Sequence, residues 1–508
     1  MFTTVLSASV YGVESRLVCV EADVGDGLPQ FSMVGDLSAQ VREAQERVRS
    51  ALRNSGRTLR PQRITVNLSP ADLRKYGSGY DLAIAVAVAS GYGELKQEKL
   101  SGILIIGELS LNGEVRSVPG ILPIAADARK YGCHTCIVPY ENMREAMQAE
   151  DIKVVGVRSL QETLLYLQGK WNPAEPPQES DTESEMLQGD FSEIHGQQMV
   201  RRAAEVAAAG GHNMLMVGPP GSGKSMIAQR IATILPPLSQ EEQMEVSRIY
   251  SAASLVLPKG FLLYNRPFRS PHHTVTGRAL SGGGNLPRPG ELSLAHNGVL
   301  FLDELPEFSR DALEILRQPL EEGKIAISRV SGSYVFPAEV MLIAAMNPCP
   351  CGHFGNLNKC TCTYPQIRRY LSRISSPLLD RIDITVEAAP LGFAQLETEK
   401  REESSAEIRE RVIRARRIQE HRYTHSGVRC NARLGSKQVE EVCSLGSGER
   451  RLLQTAFEKL DLSVRSYYRI LRVARTIADL EGREDIMLSD LEEALCYRSI
   501  HQKYWQGR

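Results

Sequence analysis

The stretch that decides the fold is NMLMVGPPGSGKSMIAQRIATIL, which spans residues 213–235. Its apolar start predicts a buried strand, and the segment after the glycine-rich octet GPPGSGKS (218–225) predicts a helix. The octet fits G-x-x-x-x-G-K-[ST], and a strand before it and a helix after it are the context that this motif requires. Backbone N–H groups of such a loop surround phosphate oxygens, and the helix N-terminus adds positive potential. We therefore predict a nucleotide-binding loop made of Gly218, Pro219, Pro220, Gly221, Ser222, Gly223, Lys224 and Ser225.

A second motif, GVLFLDE (298–304), places two acids at the end of an apolar run. Ligands bind at the carboxyl ends of parallel strands, so both acids should face the phosphates. We predict that Asp303 and the Ser225 hydroxyl hold Mg²⁺, and that Lys224 supplies positive charge to the phosphates. Glu304 is the candidate general base. The sequence contains no N-K-x-D motif for guanine recognition, which favours ATP.

Two further polar residues are candidates for catalysis. Asn347 ends the apolar run VMLIAAMN (340–347), where its amide can orient the attacking water. Arg381 lies in SSPLLDRIDI (375–384), and a planar guanidinium can stabilise the charge that spreads over the transferred phosphoryl group. A surface salt bridge is the alternative role for such an arginine.

The 508 residues divide into blocks by composition. Residues 1–168 alternate β-type and helical patterns, with β-type runs such as ITVNLS (64–69) and ILIIGELS (103–110). Residues 169–193 are rich in Pro, Ser and acids, which predicts a linker. Residues 194–395 have the strand–loop–helix pattern of an α/β core, and residues 396–508 are predicted to be helical.

Charge and hydropathy exclude several classes of protein. The sequence has 60 Lys and Arg against 61 Asp and Glu, so a nucleic-acid site must be a local patch rather than a property of the whole surface. No apolar run approaches the roughly 18 residues of a membrane span, and the N-terminus lacks the basic segment of a secretory signal. We expect a cytoplasmic protein that makes no membrane contact.

Longer motifs surround these sites: RITVNLSPADLRKYGSGYDL (63–82), RPFRSPHHTVT (266–276), PRPGELSLAHNGVLFLDELPEF (287–308), LRQPLEEG (316–323), AAMNPCPCG (344–352) and SVRSYYRILRVARTIADLEG (463–482). With them the chain resembles the ComM/YifB family of magnesium-chelatase-like AAA+ ATPases, over nearly its whole length except the linker. The resemblance implies an α/β fold. Its expected parts are an N-terminal Lon-like α+β domain of the ribosomal S5 domain 2-like type, a central P-loop AAA+ parallel sheet and a C-terminal helical lid.

The resemblance also implies an activity and an assembly. It implies a homo-oligomeric ring, usually a hexamer, with ATP at the subunit interfaces. Arg381 would be the arginine finger that reaches the ATP of a neighbouring subunit, and Arg465 would be the sensor arginine of the lid. The implied activity is ATP-driven translocation on single-stranded and branched DNA, with branch migration during recombination of transforming DNA. The alternatives are a protein-remodelling chaperone and a magnesium-chelatase-like motor.

Two inserts supply candidate DNA contacts. The segment 277–293 is rich in Gly and Pro and carries Arg278 and Arg288, and the segment 324–337 alternates like a β-hairpin and carries Lys324 and Arg329. Cationic groups can grip the phosphates of DNA. In related rings, such as the minichromosome maintenance helicases, inserts at these places line the central pore. Ordinary surface loops are the alternative interpretation.

A cysteine cluster follows Asn347 and predicts a structural zinc site. Cys349, Cys351, Cys360 and Cys362 lie within fourteen residues, and four thiolates are a tetrahedral ligand set for Zn²⁺. The C-x-C spacing is tighter than that of most zinc sites, and His353 could replace one of the cysteines. Unmetallated thiols are the alternative.

The Lon-like resemblance raises the question of proteolysis. Ser78 lies near the position of the Lon serine, but Ile124 stands about where the lysine of the Ser–Lys dyad is expected. A serine without its base is a weak nucleophile. We therefore expect an ATPase without peptidase activity, whose N-terminal domain serves ring assembly or DNA handling.

Overall fold

The computed structural model describes residues 1–57, 59–176, 189–255, 262–284, 286–329, 332–354, 359–390, 402–460 and 462–506. Residues 177–188 of the predicted linker lie outside this part of the chain, as does the predicted boundary between residues 395 and 396. Within the described ranges, no helix combines the length and the apolar character that crossing a bilayer requires.

A mixed sheet forms the centre of the N-terminal unit. Its strands, in the order in which they lie side by side, are β3 (Gln30–Val34), β4 (Arg63–Ser69), β2 (Glu14–Gly25), β1 (Phe2–Tyr11), β5 (Ile103–Ile105), β8 (Thr135–Pro139) and β9 (Lys153–Val157). The pairs β4–β2 and β2–β1 are antiparallel, and the other neighbours are parallel. A separate antiparallel pair consists of β6 (Glu108–Leu109) and β7 (Val115–Arg116).

Helices pack against this sheet. Helix α3 (Asp81–Gly91) is buried along its whole length because its residues after Asp81 are apolar or small on every side. The Asp81 carboxylate is paired with Arg47 at 2.6 Å. The other helices of the unit are α1 (Ala39–Arg42), α2 (Ala44–Asn54), α4 (Ile121–Asp127), α5 (Met143–Ala146) and α6 (Leu160–Gln168). The run 103–110 does not form one strand. The chain leaves the sheet after β5 because the Gly107 amide donates to the Gly79 carbonyl, 2.9 Å away.

A parallel sheet forms the core of the second unit. Its strands lie in the order β11 (Phe268–Arg269), β14 (Val299–Leu302), β17 (Met341–Met346), β10 (Met214–Val217) and β18 (Ile384–Glu387). All neighbouring pairs are parallel, so the carboxyl ends of the strands meet at one edge. Strands β10, β14 and β17 are buried on both faces, as their continuous apolar sequences predict.

Helices and two small hairpins surround this sheet. The helices are α7 (Gln198–Gly210), α8 (Lys224–Ile234), α9 (Gln240–Ala252), α10 (Gly277–Ser281), α11 (Glu291–Leu294), α12 (Arg310–Ile315), α13 (Arg317–Glu322), α14 (Tyr364–Leu371) and α15 (Ser376–Leu379). The first hairpin pairs β12 (Gly282–Gly283) with β13 (Arg288–Pro289), and the second pairs β15 (Lys324–Arg329) with β16 (Gly332–Pro337).

The C-terminal part is helical. It contains α16 (Ser405–Tyr423), α17 (Ser436–Val442), α18 (Ser447–Lys459), α19 (Val464–Leu480) and α20 (Leu488–His501). Asp383, directly before β18, ties this part to the core. Its carboxylate lies 3.4 Å from His212 Nδ1 and 3.5 Å from the Arg469 Nε of α19.

The N-terminal unit contacts the P-loop unit through polar pairs and through an aromatic stack. Arg248 of α9 lies 3.6 Å from the Asp127 carboxylate, and Ser251 Oγ donates to Glu145 Oε1 at 2.5 Å. Tyr11, at the end of β1, stacks on Tyr334 of β16 with 4.2 Å between ring centroids. The turn between β1 and β2 therefore lies against the β15–β16 hairpin.

Candidate functional site

The loop after β10 and the first turn of α8 line a cleft of about 370 Å³. Gly223 has a left-handed backbone with φ of 80°, which side chains disfavour and which turns the chain into α8. The Lys224 Nζ donates to the carbonyl oxygens of Gly218 and Pro219, each 2.8 Å away. Burial lowers the pKa of Lys224, although the nearby carboxylates of the cleft oppose the shift. The lysine thus lies inside the loop where the motif predicts phosphate.

The two acids of the second motif lie across this cleft from the loop. They follow β14 directly, and the Ser225 Oγ donates to Asp303 Oδ2 at 2.5 Å. Asp303 Oδ1 accepts a hydrogen bond from the Glu304 amide at 2.9 Å. The hydroxyl of Ser225 and the carboxylate of Asp303 are oxygen donors of the kind that Mg²⁺ prefers. Glu304, with its side chain 55% exposed, lines the cleft with a carboxylate that water can reach.

Asn347 lines the same cleft. It follows β17, the strand between β14 and β10, and its Oδ1 lies 3.4 Å from the Lys224 Nζ. The structure therefore brings together the predicted loop residues, both acids and the predicted water-orienting amide.

The two predicted catalytic arginines lie elsewhere. Arg381 and Arg465 line a separate cleft between α13 and the lid, and neither is among the residues that line the P-loop cleft. The Arg381 guanidinium donates to the carbonyl oxygens of Arg317 and Pro377, each 2.7 Å away, and to the Glu321 carboxylate. The Arg465 Nη2 lies 4.0 Å from the same carboxylate. One acid thus faces both arginines.

Three of the predicted DNA contacts converge around Gly283. The position that a Cβ would take at Gly283 lies 3.5 Å from Arg329 Nη2 and 3.7 Å from Arg278 Nε. Arg288 is the cross-strand partner of Gly283 in the β12–β13 hairpin. All three arginines are exposed, and none has an acidic partner within 4 Å among the residues that the structure describes. We call Arg278, Arg288 and Arg329 the arginine cluster.

Lys324 does not belong to the arginine cluster. It begins β15, pairs with Pro337, and lies five residues before Arg329, at the opposite end of the hairpin. At about 3.4 Å per residue this separation is about 17 Å. Lys324 is exposed but forms a separate positive site.

The four cysteines of the cluster lie together. Their Sγ atoms are all within 4.8 Å of one another, and none forms a disulfide. The described sulfur–sulfur distances are 3.4 Å for Cys349–Cys351, 3.9 Å for Cys349–Cys360 and 3.7 Å for Cys351–Cys360. A tetrahedral zinc with Zn–S bonds of about 2.3 Å requires about 3.8 Å between sulfurs. The geometry therefore fits zinc without large movements.

The backbone around the cluster favours a thiolate. Hydrogen bonds from the amides of His353 and Thr361 lower the pKa of Cys351 to about 5. His353 thus contributes its backbone amide, and its ring is not part of the four-ligand set found among the described residues. The loop also packs on the glycine-rich loop, because a Cβ at Gly352 would overlap the Pro220 ring.

Ser78 lies in the N-terminal unit, directly before α3. Its Oγ donates to the Glu108 carboxylate, and Ile124 is buried in α4. A carboxylate acceptor differs from the lysine base of a Ser–Lys dyad.

Two residues near the predicted sites, His273 and Glu321, were not predicted from the sequence. The His273 Nδ1 lies 3.4 Å from Glu304 Oε2, and the His273 ring packs on His272 with 4.1 Å between centroids. Glu321 is the acid that faces Arg381 and Arg465. Both lie in motifs noted above, RPFRSPHHTVT and LRQPLEEG, but a motif does not indicate which distant residue a side chain contacts.

Three family descriptions match the chain. "Magnesium chelatase, subunit ChlI" matches residues 190–396, "Subunit ChlI of Mg-chelatase" matches residues 20–142, and "Magnesium chelatase, subunit ChlI C-terminal" matches residues 402–498. The first of these contains the P-loop cleft, the arginine cluster and the cysteine cluster.

Similar proteins span almost the whole chain. Competence protein ComM of Haemophilus influenzae is 42% identical over 502 residues, which cover 98% of this chain and 97% of that protein. YifB of Escherichia coli is 43% identical over 493 residues, with coverage of 96% and 95%. Lon protease 2 of Bacillus subtilis is 26% identical over 146 residues, which cover 27% of this chain and 26% of that protein.

These matches confirm the predicted resemblance and the predicted fold class, with its parallel sheet, its helical C-terminal part and its Lon-like similarity. The chain belongs to the ComM/YifB family of magnesium-chelatase-like AAA+ ATPases.

Proposed function

We propose that the chain is the subunit of a hexameric ring that uses ATP hydrolysis to translocate on DNA. The ring would promote branch migration in homologous recombination, including the integration of transforming DNA. The observation that carries this proposal is the arginine cluster, in which exposed arginines from two separate inserts meet around Gly283 without an acidic partner among the described residues. A dense local positive charge without acidic partners suits a polyanion. The similarity to a competence protein supports the same class of partner.

The division of the catalytic residues between two clefts supports a ring. Lys224, Asp303 and Glu304 line one cleft, whereas Arg381 and Arg465 line the other. In a ring, the second cleft of one subunit can face the first cleft of its neighbour. We therefore assign both arginines to the ATP of the adjacent subunit, where they would stabilise charge on the transferred phosphoryl group.

Hydrolysis follows from the chemistry of the P-loop cleft. Water attacks the γ-phosphorus, its proton passes to the Glu304 carboxylate, and the bond to the bridging β–γ oxygen breaks. Asn347 would orient this water, and Lys224 would neutralise charge on the phosphate oxygens. Ser225 and Asp303 would hold Mg²⁺, whose role is to neutralise further charge.

The cysteine cluster has a structural role in this proposal. Cys349, Cys351, Cys360 and Cys362 would hold Zn²⁺ and thereby fix the loop that connects Asn347 to α14. Because this loop packs on Pro220, the metal would also stiffen one side of the nucleotide site.

A salt titration of DNA binding tests the partner. With the double variant Arg278→Ala/Arg329→Ala, we expect weaker binding of a fluorescent single strand and preserved binding of ATP. The slope of log K against log salt should fall by about 0.7 for each arginine–phosphate ion pair that the substitutions remove. Arg49→Ala is the matched control, because Arg49 is exposed on α2 and has no acidic partner in the described part of the chain. An unchanged slope in the double variant would remove the arginine cluster from DNA binding.

Comparing how DNA and unfolded protein stimulate ATP hydrolysis shows which of the two polymers the ring moves along. We expect single-stranded DNA to raise turnover and unfolded casein to leave it unchanged. Stimulation by casein alone would favour the protein-remodelling alternative.

ATP-dependent cleavage of casein that Ser78→Ala abolishes would contradict the expected absence of peptidase activity.

A further inference from the structure

The turn between β1 and β2 of the N-terminal unit reaches the hairpin that carries Arg329. The Tyr11 ring stacks on Tyr334, with an angle of 23° between the ring planes. Gly332, the cross-strand partner of Arg329, has no room for a side chain because a Cβ there would overlap the Tyr11 hydroxyl. The N-terminal unit therefore lies directly beside one member of the arginine cluster.

Arg16 extends the positive surface across this boundary. It lies on β2, and its guanidinium carbon is 4.3 Å from the centroid of the Tyr11 ring. Arg16 is exposed, and within the described ranges it has no acid within 4 Å. Arg248, at the boundary between the same two units, differs from Arg16 because it lies 3.6 Å from the Asp127 carboxylate.

The contact with the Tyr11 ring orients the Arg16 guanidinium and leaves it able to bind an anion. A guanidinium on an aromatic face gains cation–π energy and keeps the N–H groups on its edge free to donate. Arg16 lies on the Tyr11 ring, and Tyr11 contacts Gly332, the cross-strand partner of Arg329. Arg329 in turn approaches Arg278 at Gly283. Four like charges in one region repel each other unless a polyanion neutralises them.

We propose that Arg16 binds the sugar–phosphate backbone of the same DNA strand that the arginine cluster binds. The N-terminal domain is then a part of the DNA path rather than only a ring-assembly element. This inference rests on the proposed function, because it requires that the chain binds DNA.

The test compares Arg16→Ala with Arg49→Ala in the full-length protein. Binding of a fluorescent oligothymidine is measured at 50–200 mM salt with a non-hydrolysable ATP analogue present. Removing one arginine–phosphate ion pair should lower the salt slope by about 0.7, which changes the affinity ratio about 2.6-fold over this fourfold range of salt. Arg16→Lys keeps the charge and should keep the slope. Equal thermal melting of the variants excludes a loss of folding.

The outcomes separate this inference from the proposed function. If the double variant of the arginine cluster loses affinity while Arg16→Ala retains the wild-type slope, the inference is wrong and the proposed function stands. An equal loss in Arg16→Ala and Arg49→Ala would also overturn it, because any surface arginine would then have the same effect. If the wild-type protein binds no oligothymidine at any salt, the proposed function fails and this inference fails with it.

Discussion

Mixing two inactive variants, Glu304→Gln and Arg381→Ala, tests whether each ATP site is shared between subunits. Glu304 lines the P-loop cleft, whereas the Arg381 guanidinium is held at α13 by the carbonyl oxygens of Arg317 and Pro377. If Arg381 serves the neighbour, a Glu304→Gln subunit still supplies a functional arginine, and an Arg381→Ala subunit still supplies a functional base. The two defects can then complement each other within one ring.

The expected recovery follows from counting. An arginine finger is worth about 10³- to 10⁵-fold in turnover, so a ring of Arg381→Ala alone should be almost inactive. A ring of Glu304→Gln alone lacks the general base and should be almost inactive too. In a random one-to-one mixture, a site works when its own subunit keeps Glu304 and the adjacent subunit keeps Arg381. Each condition holds about half of the time, so about a quarter of the sites should recover. If Arg381 acted on the ATP of its own subunit, no site would recover.

The assay is phosphate release after the purified variants have been mixed and allowed to exchange subunits. An affinity tag on one variant shows that mixed rings have formed, and wild-type protein treated in the same way sets the full rate. Verified mixed rings that stay inactive would refute the shared site. The same experiment with Arg465→Ala in place of Arg381→Ala tests the lid arginine.

Three further predictions concern metal, stability and catalysis. The purified protein should contain about one zinc per chain, and Cys351→Ser should lose the metal and melt at a lower temperature. Burial would raise the pKa of Asp383, but His212, Arg469 and Arg472 outweigh it and lower the pKa to about 2. Asp383→Asn should therefore cost about 2 kcal/mol of unfolding free energy near pH 6, and most of this difference should be lost as the pH falls from about 4 to 2. His273→Ala should lower kcat about tenfold at unchanged KM for ATP, because the Glu304 carboxylate then loses the imidazole that lies beside it.

Each of these predictions has a result that would contradict it. Metal-free protein whose four clustered thiols all react readily would exclude zinc. A stability difference between wild type and Asp383→Asn that is as large at pH 2 as at pH 6 would show that the carboxylate charge is not its cause. For His273, the control is Glu304→Gln, in which the histidine substitution should have no further effect. A full additional loss in that background would show that His273 acts on something other than Glu304.

Local patterns predicted much of the P-loop cleft. A strand, a glycine-rich loop and a helix that follow each other within 213–235 need no distant partner to be recognised. The acids after β14 and the amide after β17 could be placed because parallel strands end at one edge of a sheet. The β-type run ILIIGELS (103–110) contains two strands, β5 and β6, and its sequence pattern does not reveal the hydrogen bond from Gly107 to Gly79 that lies between them.

Contacts between distant segments could not be predicted. The meeting of Arg278 and Arg329 at Gly283 joins two inserts that are far apart in the chain, and no local pattern sets their distance. The position of Glu321 between Arg381 and Arg465 depends on how the lid packs on α13. The stack of Tyr11 on Tyr334 depends on how the N-terminal unit docks on the β15–β16 hairpin. In each case the geometry is set by tertiary packing rather than by sequence spacing.

Movement of a DNA branch point is the most direct test of the central claim. A synthetic three-strand junction with a fluorophore and a quencher on opposite arms reports the position of the branch during ATP hydrolysis. We expect the wild-type ring to move the branch only with hydrolysable ATP, and both Glu304→Gln and Arg278→Ala/Arg329→Ala to leave it at its spontaneous rate. A wild-type protein that binds the junction and hydrolyses ATP, while the branch moves no faster than without protein, would contradict the account.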